Sequence, residues 1–254
     1  MKIAVLVKQV PGSESALPIN SHQNWIDESS ATFVMNPPDN FALEEALLIR
    51  ERMDDGEVVV VSMGPSRVQK VIREGLAKGA DRGIHLEEGD HIEKDPLSIA
   101  KRFSSILKDE NFDLILSGLQ SDDTGMGQTG VLIGEMLGSS TATLVIETKL
   151  EQGKIKVKRE LESGWFQWVE LPLPASISIQ SGLNTPRYPS LKGIMGAKKK
   201  EIKSIPIESE SNQAQTIEKV FIPQASKQTE VIEEETDVAV NRIVEILKSE
   251  IKVF

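Results

Sequence analysis

Short apolar runs alternate with helical patterns between Lys2 and Glu147. The apolar runs cover residues 3–7, 58–62, 82–86, 113–117 and 142–146. An alternation of buried strands and helices is typical of βαβ units around a mostly parallel sheet. The pattern therefore predicts an α/β fold with a doubly wound sheet and the strand order 3-2-1-4-5.

Four helices are predicted between these strands, of which the first covers residues 40–53 and the fourth residues 128–137. In the second helix, Ser66 and Gln69 have the spacing of a capping box. The third helix begins at Asp95, because an aspartate followed by proline is a favourable helix start. Each helix carries an apolar stripe that is expected to face the sheet.

After Glu147 the pattern changes to that of antiparallel strands. Residues 154–161 alternate between apolar and polar side chains, a Glu-Ser-Gly turn follows, and residues 165–171 lead back. This combination predicts a β-hairpin. A further strand is expected at about residues 176–180.

The last part of the chain is predicted to form a separate arm. Residues 204–235 are polar and contain few large apolar side chains, and an amphipathic helix is expected over residues 237–252. Such a stripe commonly packs on its own domain, but the polar stretch before it favours an arm that reaches a partner. We expect a nucleotide-binding domain over residues 1–203 and a C-terminal arm over residues 204–254.

Composition narrows the class of protein. The chain has 254 residues, 39 acidic against 29 basic side chains and no cysteine. The acidic balance argues against nucleic acid as a partner, and the missing cysteines exclude thiol chemistry. No apolar run approaches the roughly 20 residues of a membrane helix, and the N-terminal run is too short for a signal peptide. We expect a bacterial cytoplasmic protein without direct membrane insertion.

A glycine-rich segment follows the fourth strand. Residues 118–130 read GLQSDDTGMGQTG, and the last six residues match the G-x-G-x-x-G pattern of dinucleotide-binding enzymes. In that fold the glycines follow the first strand. In addition, no lysine or arginine lies between Gly118 and Gly130 to offset Asp122 and Asp123 beside a phosphate. A dehydrogenase is therefore disfavoured.

The position of the segment nevertheless predicts a mononucleotide site. In the predicted order, the first and fourth strands are neighbours where the order reverses, and ligands of open sheets bind beyond the carboxyl ends of such strands. A helix that begins near Gln128 directs amide groups at a phosphate. Residues 10–12, 36–39 and 63–65 are expected to line or close the crevice. The alternative is that glycine only permits a tight left-handed turn.

Candidate catalytic groups are few. His22, His85 and His91 are scattered, and a surface or strand-edge position is expected for all three. Asp122 and Asp123 could bind Mg²⁺ for nucleotide hydrolysis, but capping of loop amides is favoured. The sequence therefore indicates a binding protein.

Six segments resemble the β subunit of electron-transfer flavoprotein in order and spacing. They are VLVKQVP (residues 5–11), MNPPDNFALEEAL (35–47), VSMGP (61–65), GADRGIHLE (79–87), QSDDTGMGQTG (120–130) and LNTPRYPSLKGIMGAKKK (183–200). The resemblance covers about residues 1–203. It implies an adenine nucleotide α-hydrolase-like fold and an electron-carrier subunit without catalytic residues of its own.

The resemblance also implies cofactors and partners. The chain would form a heterodimer with an α subunit that holds FAD near the interface, and would itself bind AMP in a structural role. Electrons would come from acyl-CoA dehydrogenases or related flavoenzymes of fatty acid β-oxidation and pass to a quinone oxidoreductase. Within the family, a second FAD in place of AMP is the alternative; outside it, the alternative is a metal-dependent nucleotide hydrolase of the same fold.

Two sets of site residues follow from the resemblance. The AMP contacts would be Leu6, Asn36, Pro37, Pro38, Asp39, Met63, Gly118, Leu119, Gln120, Ser121, Asp122, Asp123, Thr124, Gly125, Met126, Gly127, Gln128 and Thr129. Residues 183–200 correspond to the loop that docks on dehydrogenases. Its contacts would be Leu191 as the anchor, Ile194, Met195, and the steering charges of Lys198, Lys199 and Lys200.

Overall fold

The chain folds around one large β-sheet with helices on both faces. The computed structural model describes residues 1–53, 55–88, 95–207, 214–223 and 231–252. Contacts divide the chain into two units, Met1–Val220 and Phe221–Phe254, and each is described by itself. The sheet and its flanking helices belong to the first unit.

The helices and strands have the following bounds. They are β1 (Lys2–Leu6), β2 (Gln9–Pro11), β3 (Phe33–Met35), α1 (Pro37–Glu51), β4 (Glu57–Gly64), α2 (Gln69–Lys78), β5 (Arg82–Glu87), α3 (Pro96–Leu107), β6 (Leu114–Gly118), α4 (Thr129–Met136), β7 (Ser140–Glu151), β8 (Lys154–Glu160), β9 (Phe166–Pro172), β10 (Ala175–Ile179), α5 (Leu191–Ala197), β11 (Ile202–Pro206) and α6 (Thr236–Glu245).

The large sheet has the order β11-β5-β4-β1-β6-β10-β7-β8-β9. Its strands from β11 to β7 run parallel, and β7, β8 and β9 form an antiparallel meander. Apolar side chains of α1 and α2 pack on one face, and those of α3 and α4 pack on the other. β2 and β3 form a small antiparallel sheet of their own.

The predicted α/β class and the doubly wound, mostly parallel sheet are confirmed. The five predicted strands keep the order 3-2-1-4-5, and the structure inserts β10 between the fourth and the fifth of them, β6 and β7. β10 has the sequence ASISI, is buried throughout and pairs in parallel on both sides. A strand without an exposed edge needs neighbours on both sides to satisfy its backbone groups.

Two local predictions are confirmed, the start of α3 and the β-hairpin. Asp95 caps α3 by accepting hydrogen bonds from the amides of Leu97 and Ser98. The predicted hairpin is present as β8 and β9, joined by a turn over Glu162–Gly164. The structure also contains β11 at the edge of the sheet next to β5 and α5 within the predicted docking loop. β11 spans residue 203. The domain boundary proposed between residues 203 and 204 stays a prediction.

Two local predictions were wrong. Ser66 does not cap α2 but begins a short 3₁₀ turn, and α2 starts at Gln69 without a side-chain cap. His85 is fully buried in β5 instead of lying at the surface, because β11 covers that edge of the sheet. Nε2 of His85 lies 2.9 Å from the carbonyl oxygen of Gly64. His22 is exposed as expected, and His91 lies outside the described residues.

The second unit contains the predicted C-terminal helix. α6 continues as a π-helical segment over Ile246–Ile251, and none of its described residues is buried. Val240 and Ile251 of the predicted stripe are 51% and 60% exposed. Among the described residues, no helix is long and apolar enough to cross a membrane.

The packing of α4 on the sheet gives a stability prediction. A Cβ atom at Gly134 would lie 2.4 Å from Cγ2 of Thr141 and 2.8 Å from Cβ of Ser176. We expect Gly134→Ala to lower the free energy of unfolding by about 1–3 kcal/mol, because α4 would have to move away from the sheet. Urea unfolding followed by circular dichroism measures this value.

Gly196→Ala in α5 is the matched control, since no atom lies within 4 Å of its added Cβ. This variant should be as stable as the unaltered chain or more stable by up to about 1 kcal/mol, because alanine favours helix over glycine. If both variants unfold at the same urea concentration, the close contact of α4 with the sheet does not limit stability.

Candidate functional site

A cavity of about 530 Å³ lies beyond the carboxyl ends of β1, β4 and β6. The chain runs outward from β1 to β4 and β5 and then returns to β6 on the other side of β1. The strand order therefore reverses between β1 and β6, which is where open α/β sheets bind ligands. The predicted crevice is at this position.

Asp39 fixes the floor of the cavity. Its carboxylate is 5% exposed and accepts hydrogen bonds from the amide of Lys8, at 2.7 Å, and from the amide of Gly118, at 3.0 Å. These amides follow β1 and end β6, so the first turn of α1 ties the two strands together. Burial raises the pKa of Asp39 to about 7, although the amide hydrogen bonds act in the opposite direction.

Gly118 is required by this arrangement. A Cβ atom there would lie 2.4 Å from Oδ1 of Asp39 and 2.7 Å from the backbone of Pro38. Both distances are shorter than any non-bonded contact that a carbon atom tolerates, so a larger residue would push α1 away from β6. The glycine that ends β6 thus permits close approach rather than a special turn.

We call residues 118–130 the glycine loop. Its backbone is left-handed at Gly125 and Gly127, with φ of +62° and +64°. Asn36 holds the loop, because its side-chain amide donates to the carbonyl of Gln120 and its Oδ1 accepts from the amide of Asp122, each at 3.0 Å. α4 begins at the end of this loop and no described side chain caps it. Amide groups of its first turn therefore remain available to an anion at the cavity.

Lys8 supplies the positive charge that the glycine loop lacks. Its Nζ donates to Asp123 at 2.6 Å and also contacts the hydroxyls of Ser121 and Thr124, at 3.2 and 3.3 Å. Burial alone would raise the pKa of Asp123, but the Lys8 ammonium and the surrounding hydrogen bonds hold it below the usual value. The objection that two aspartates would repel a phosphate is thereby weakened, because one of them is neutralised.

Most residues proposed to contact the nucleotide lie at the cavity. Its lining includes Leu6, Asn36, Asp39, Met63, Gly118, Leu119, Gln120, Ser121, Asp123, Thr124, Met126, Gly127, Gln128 and Thr129. Pro37, Pro38, Asp122 and Gly125 do not line it. Of the segment 10–12, only Pro11 reaches the cavity.

Sequence reasoning missed a second group at the mouth of the cavity. The guanidinium carbon of Arg67 lies 3.7 Å from the ring centroid of Phe33, and the group donates to Gln9 and Glu28, each at 2.8 Å. Trp25 donates from Nε1 to the same Glu28 at 3.1 Å. All five residues line the cavity. No local motif marks them, because the fold gathers them from β2, β3 and the segments beside them.

The aspartates of the loop do not form a metal centre in the described part of the chain. No group of three or more histidine, aspartate or glutamate side chains is arranged there to hold a metal ion. Asp123 accepts from Lys8 and from the amide of Thr124 at 2.7 Å, and Asp122 is exposed. Capping of a loop amide, the favoured interpretation, is thus seen for Asp123 and stays a prediction for Asp122.

The predicted docking contacts lie on and after α5. Leu191 and Met195 are 83% and 72% exposed, and Ile194 is 44% exposed. Lys198 and Lys199 are exposed, whereas the ammonium of Lys200 donates to the carbonyls of Leu76 and Ala80 at the end of α2, at 3.2 and 2.5 Å. Lys200 therefore has a structural contact that the sequence did not predict.

Fold and cavity together define an α/β chain with a cavity at the switch point of its sheet. The chain belongs to the electron transfer flavoprotein family, since the model of the electron transfer flavoprotein domain matches residues 23–210. The resemblance of the six segments is confirmed.

Three relatives show how far the similarity extends. The electron transfer flavoprotein subunit beta of Methylophilus methylotrophus is 38% identical over 81% of this chain and 79% of its own length. The same subunit of Syntrophomonas wolfei is 32% identical over 100% of this chain and 98% of its own length. That of Bacillus subtilis is 31% identical over the full length of both chains.

Asp39 gives a prediction for the pH dependence of stability. Burial raises its pKa from 3.8 to about 7 in the folded chain, so folding favours the protonated form. This stabilisation is complete below about pH 4 and is lost as the pH rises through 7. Asp39→Asn removes the titration. The difference in unfolding free energy between the two chains should change by about 1.4 kcal/mol per pH unit in this range.

Urea unfolding of both chains at pH values between about 4 and 8 tests this expectation. Asp27→Asn is the control, because hydrogen bonds from Ser29 lower the pKa of Asp27, so that its contribution is lost only at pH values below this window and the difference should stay constant within it. A difference for Asp39→Asn that stays constant with pH would mean that the carboxylate is ionised throughout.

Proposed function

We propose that this chain is the β subunit of a heterodimeric electron carrier and that it binds AMP in the cavity. The observation that carries the proposal is the combination of family membership with a glycine loop, an uncapped helix start and a neutralised aspartate at the switch point. An electron carrier rather than an enzyme is what membership of this family supports.

The described residues fit a mononucleotide. The phosphate would lie against the first turn of α4, at Gln128 and Thr129, where amide groups and the helix dipole favour an anion. The left-handed glycines keep Cβ atoms out of its way, and Lys8 adds a cation nearby. Adenosine would then extend toward Asn36, Met63 and Leu6, which line the rest of the cavity.

The redox cofactor would be FAD, held mainly by the α subunit near the interface with this chain. FAD supplies the electron-accepting chemistry, and this chain supplies part of the wall around it. The polar segment and α6 would form the arm that reaches the α subunit, which is supported by the exposure of the apolar stripe on α6. The chain would work in a bacterial cytoplasm.

α5 would dock on the electron donor, an acyl-CoA dehydrogenase or a related flavoenzyme, and the electrons would pass on to a quinone oxidoreductase. Leu191 would be the anchor, because an exposed leucine on a short, fixed helix suits insertion into a partner's pocket. Lys198 and Lys199 would steer an acidic partner, whereas Lys200 is engaged with the end of α2.

A second FAD in place of AMP is the other candidate, because aromatic side chains also line the cavity. They are Trp25, Phe33 and Phe103. Aromatic side chains can stack on a flat ring system. The cofactor content of the heterodimer distinguishes the two candidates.

The cofactor content of the heterodimer can be predicted. The tagged chain is purified with its partner from its own cells and denatured, and the released nucleotides are quantified by chromatography. We expect one AMP and one FAD per heterodimer. Two FAD without AMP would support the second candidate. Bound ATP or ADP with no flavin and no partner would contradict both and indicate a nucleotide hydrolase.

Variants at the phosphate position refine this test. Replacing Gln128 and Thr129 together by leucine should abolish AMP retention, because bulky apolar side chains would cover the start of α4. Replacement of Met136 by leucine, in α4 but outside the cavity lining, is the control and should retain AMP. An unchanged AMP content in the double variant would contradict the phosphate assignment.

Leu191→Ala tests the docking role. We expect electron transfer from a dehydrogenase to slow by about tenfold or more, because truncation of a buried anchor costs about 1–3 kcal/mol of binding energy. FAD and AMP contents should not change. Leu17→Ala is the control, since Leu17 is also exposed but lies outside α5. Equal rates for both variants would remove Leu191 from the docking contact.

A further inference from the structure

The segment before α5 is bound to α1 by carboxylates. We call residues 183–190 the docking stem. Within the docking stem, Asn184 donates from Nδ2 to the carbonyl of Phe41 at 3.0 Å and to the carboxylate of Glu45 at 3.2 Å. The amide of Arg187 donates to Glu44 at 3.0 Å. The docking stem therefore follows α1 instead of crossing solvent freely.

Arg187 makes the largest number of these contacts. Its Nε donates to Oε2 of Glu44 at 2.9 Å, and its Nη2 donates to Oε1 of the same residue at 3.0 Å. Its Nη1 donates to Oε1 of Glu51 at 2.5 Å. Glu44 and Glu51 are two helical turns apart on one face of α1, so one planar guanidinium bridges both. Hydrogen bonds to Glu51 and Glu44 raise the pKa of Arg187.

Burial makes this contact specific. Glu44 is 6% exposed and Glu45 is 3% exposed, although both carry a charge in water. A buried carboxylate is tolerated only when hydrogen bonds or an opposite charge replace its hydration. For Glu44 this replacement comes from Arg187, which leaves few other positions for the docking stem to adopt.

The chain between Arg187 and α5 is short and stiff. Pro186 and Pro189 flank the contact and fix the backbone φ on both sides. Ser190 then caps α5 by accepting from the amide of Gly193 at 3.0 Å. The position of Arg187 therefore determines the direction in which the first turn of α5, with Leu191, points away from α1.

The other end of α5 is fixed separately. Arg73 of α2 donates to the carbonyls of Ala197 and Lys200, each at 2.6 Å. In the first turn of α5, a Cβ atom at Gly193 would lie 2.2 Å from the carbonyl oxygen of Ala77, so the helix lies directly on α2. Loss of Arg187 would thus free the docking stem and the angle at which α5 starts, while the helix stays in contact with α2.

We propose that Arg187 is a positioning residue that sets the direction in which α5 presents Leu191 to the electron donor. The proposal rests on the proposed docking function of α5 and adds the part of the chain that pre-orients it. Pre-orientation lowers the entropy lost on binding, so its absence weakens the encounter and leaves the subsequent electron transfer unchanged.

The test uses the assembled heterodimer with its cofactors and a flavoprotein dehydrogenase as donor. We expect Arg187→Gln to raise the half-saturating donor concentration by about tenfold, with the maximal rate within about twofold of the unaltered protein. FAD and AMP contents should be unchanged. Arg187→Lys should recover part of the loss, because a lysine pairs with Glu44 but cannot bridge two carboxylates.

Arg82→Gln is the matched control. Arg82 also joins two carboxylates, those of Glu57 and Glu110, but at the opposite end of the sheet from the cavity. The Arg82→Gln variant should have a lower melting temperature and an unchanged half-saturating donor concentration. If Arg187→Gln does not assemble, Glu51→Gln removes only the exposed half of the contact and should raise the half-saturating concentration by about twofold to threefold.

The outcomes separate the two proposals. If Leu191→Ala impairs the reaction and neither Arg187→Gln nor Glu51→Gln changes the half-saturating concentration, α5 docks but Arg187 does not position it. If Arg187→Gln changes only the maximal rate, or if Arg187→Lys recovers nothing, the positioning role is overturned as well. If Leu191→Ala is without effect, the docking function itself fails.

Discussion

The cavity depends on one buried carboxylate that joins two strands. Asp39 accepts hydrogen bonds from the amides of Lys8 and Gly118, which stand at the ends of β1 and β6. Backbone amides at strand ends have no partner in the sheet, and a carboxylate is the side chain that can satisfy two of them at once. The contact also explains why the last residue of β6 is a glycine. The separation of the strand ends, and with it the space for a ligand, follows from this contact.

The ion pairs near the cavity and the docking stem hold chain segments in place more than they raise the free energy of unfolding. In the pairs Lys8 with Asp123 and Arg187 with Glu44, the carboxylate is largely removed from water, and its desolvation cost offsets part of the attraction. What they supply is a single arrangement: the first holds the glycine loop over the cavity, and the second holds the docking stem on α1. A chain with apolar residues at these positions could be as stable without holding either segment in place.

The sequence was sufficient for the fold class and for the place of the site, because both depend on local periodicity and on where loops follow strands. It was not sufficient for β10, whose neighbours are decided by the return of the antiparallel meander. Nor did it find Lys8, Arg67 or Trp25 at the cavity, since the fold brings them together from separate segments. One signal for Lys8 was present: a lysine directly after the first buried strand stands where a ligand is expected. The roles of Arg187 and Lys200 depend on contacts with α1 and α2 that no motif encodes.

α1 carries the contacts of both functional regions. Its first turn holds Asp39 at the cavity, and its later turns hold the docking stem through Glu44, Glu45 and Glu51. Each residue of an α-helix advances the chain by about 1.5 Å and turns it by about 100°. An insertion or deletion of one residue between Asp39 and Glu44 would rotate one set of carboxylates away from its partners while the other stayed in place. A change of length at this position would therefore break one of the two sets of contacts, even if the added residue favoured a helix.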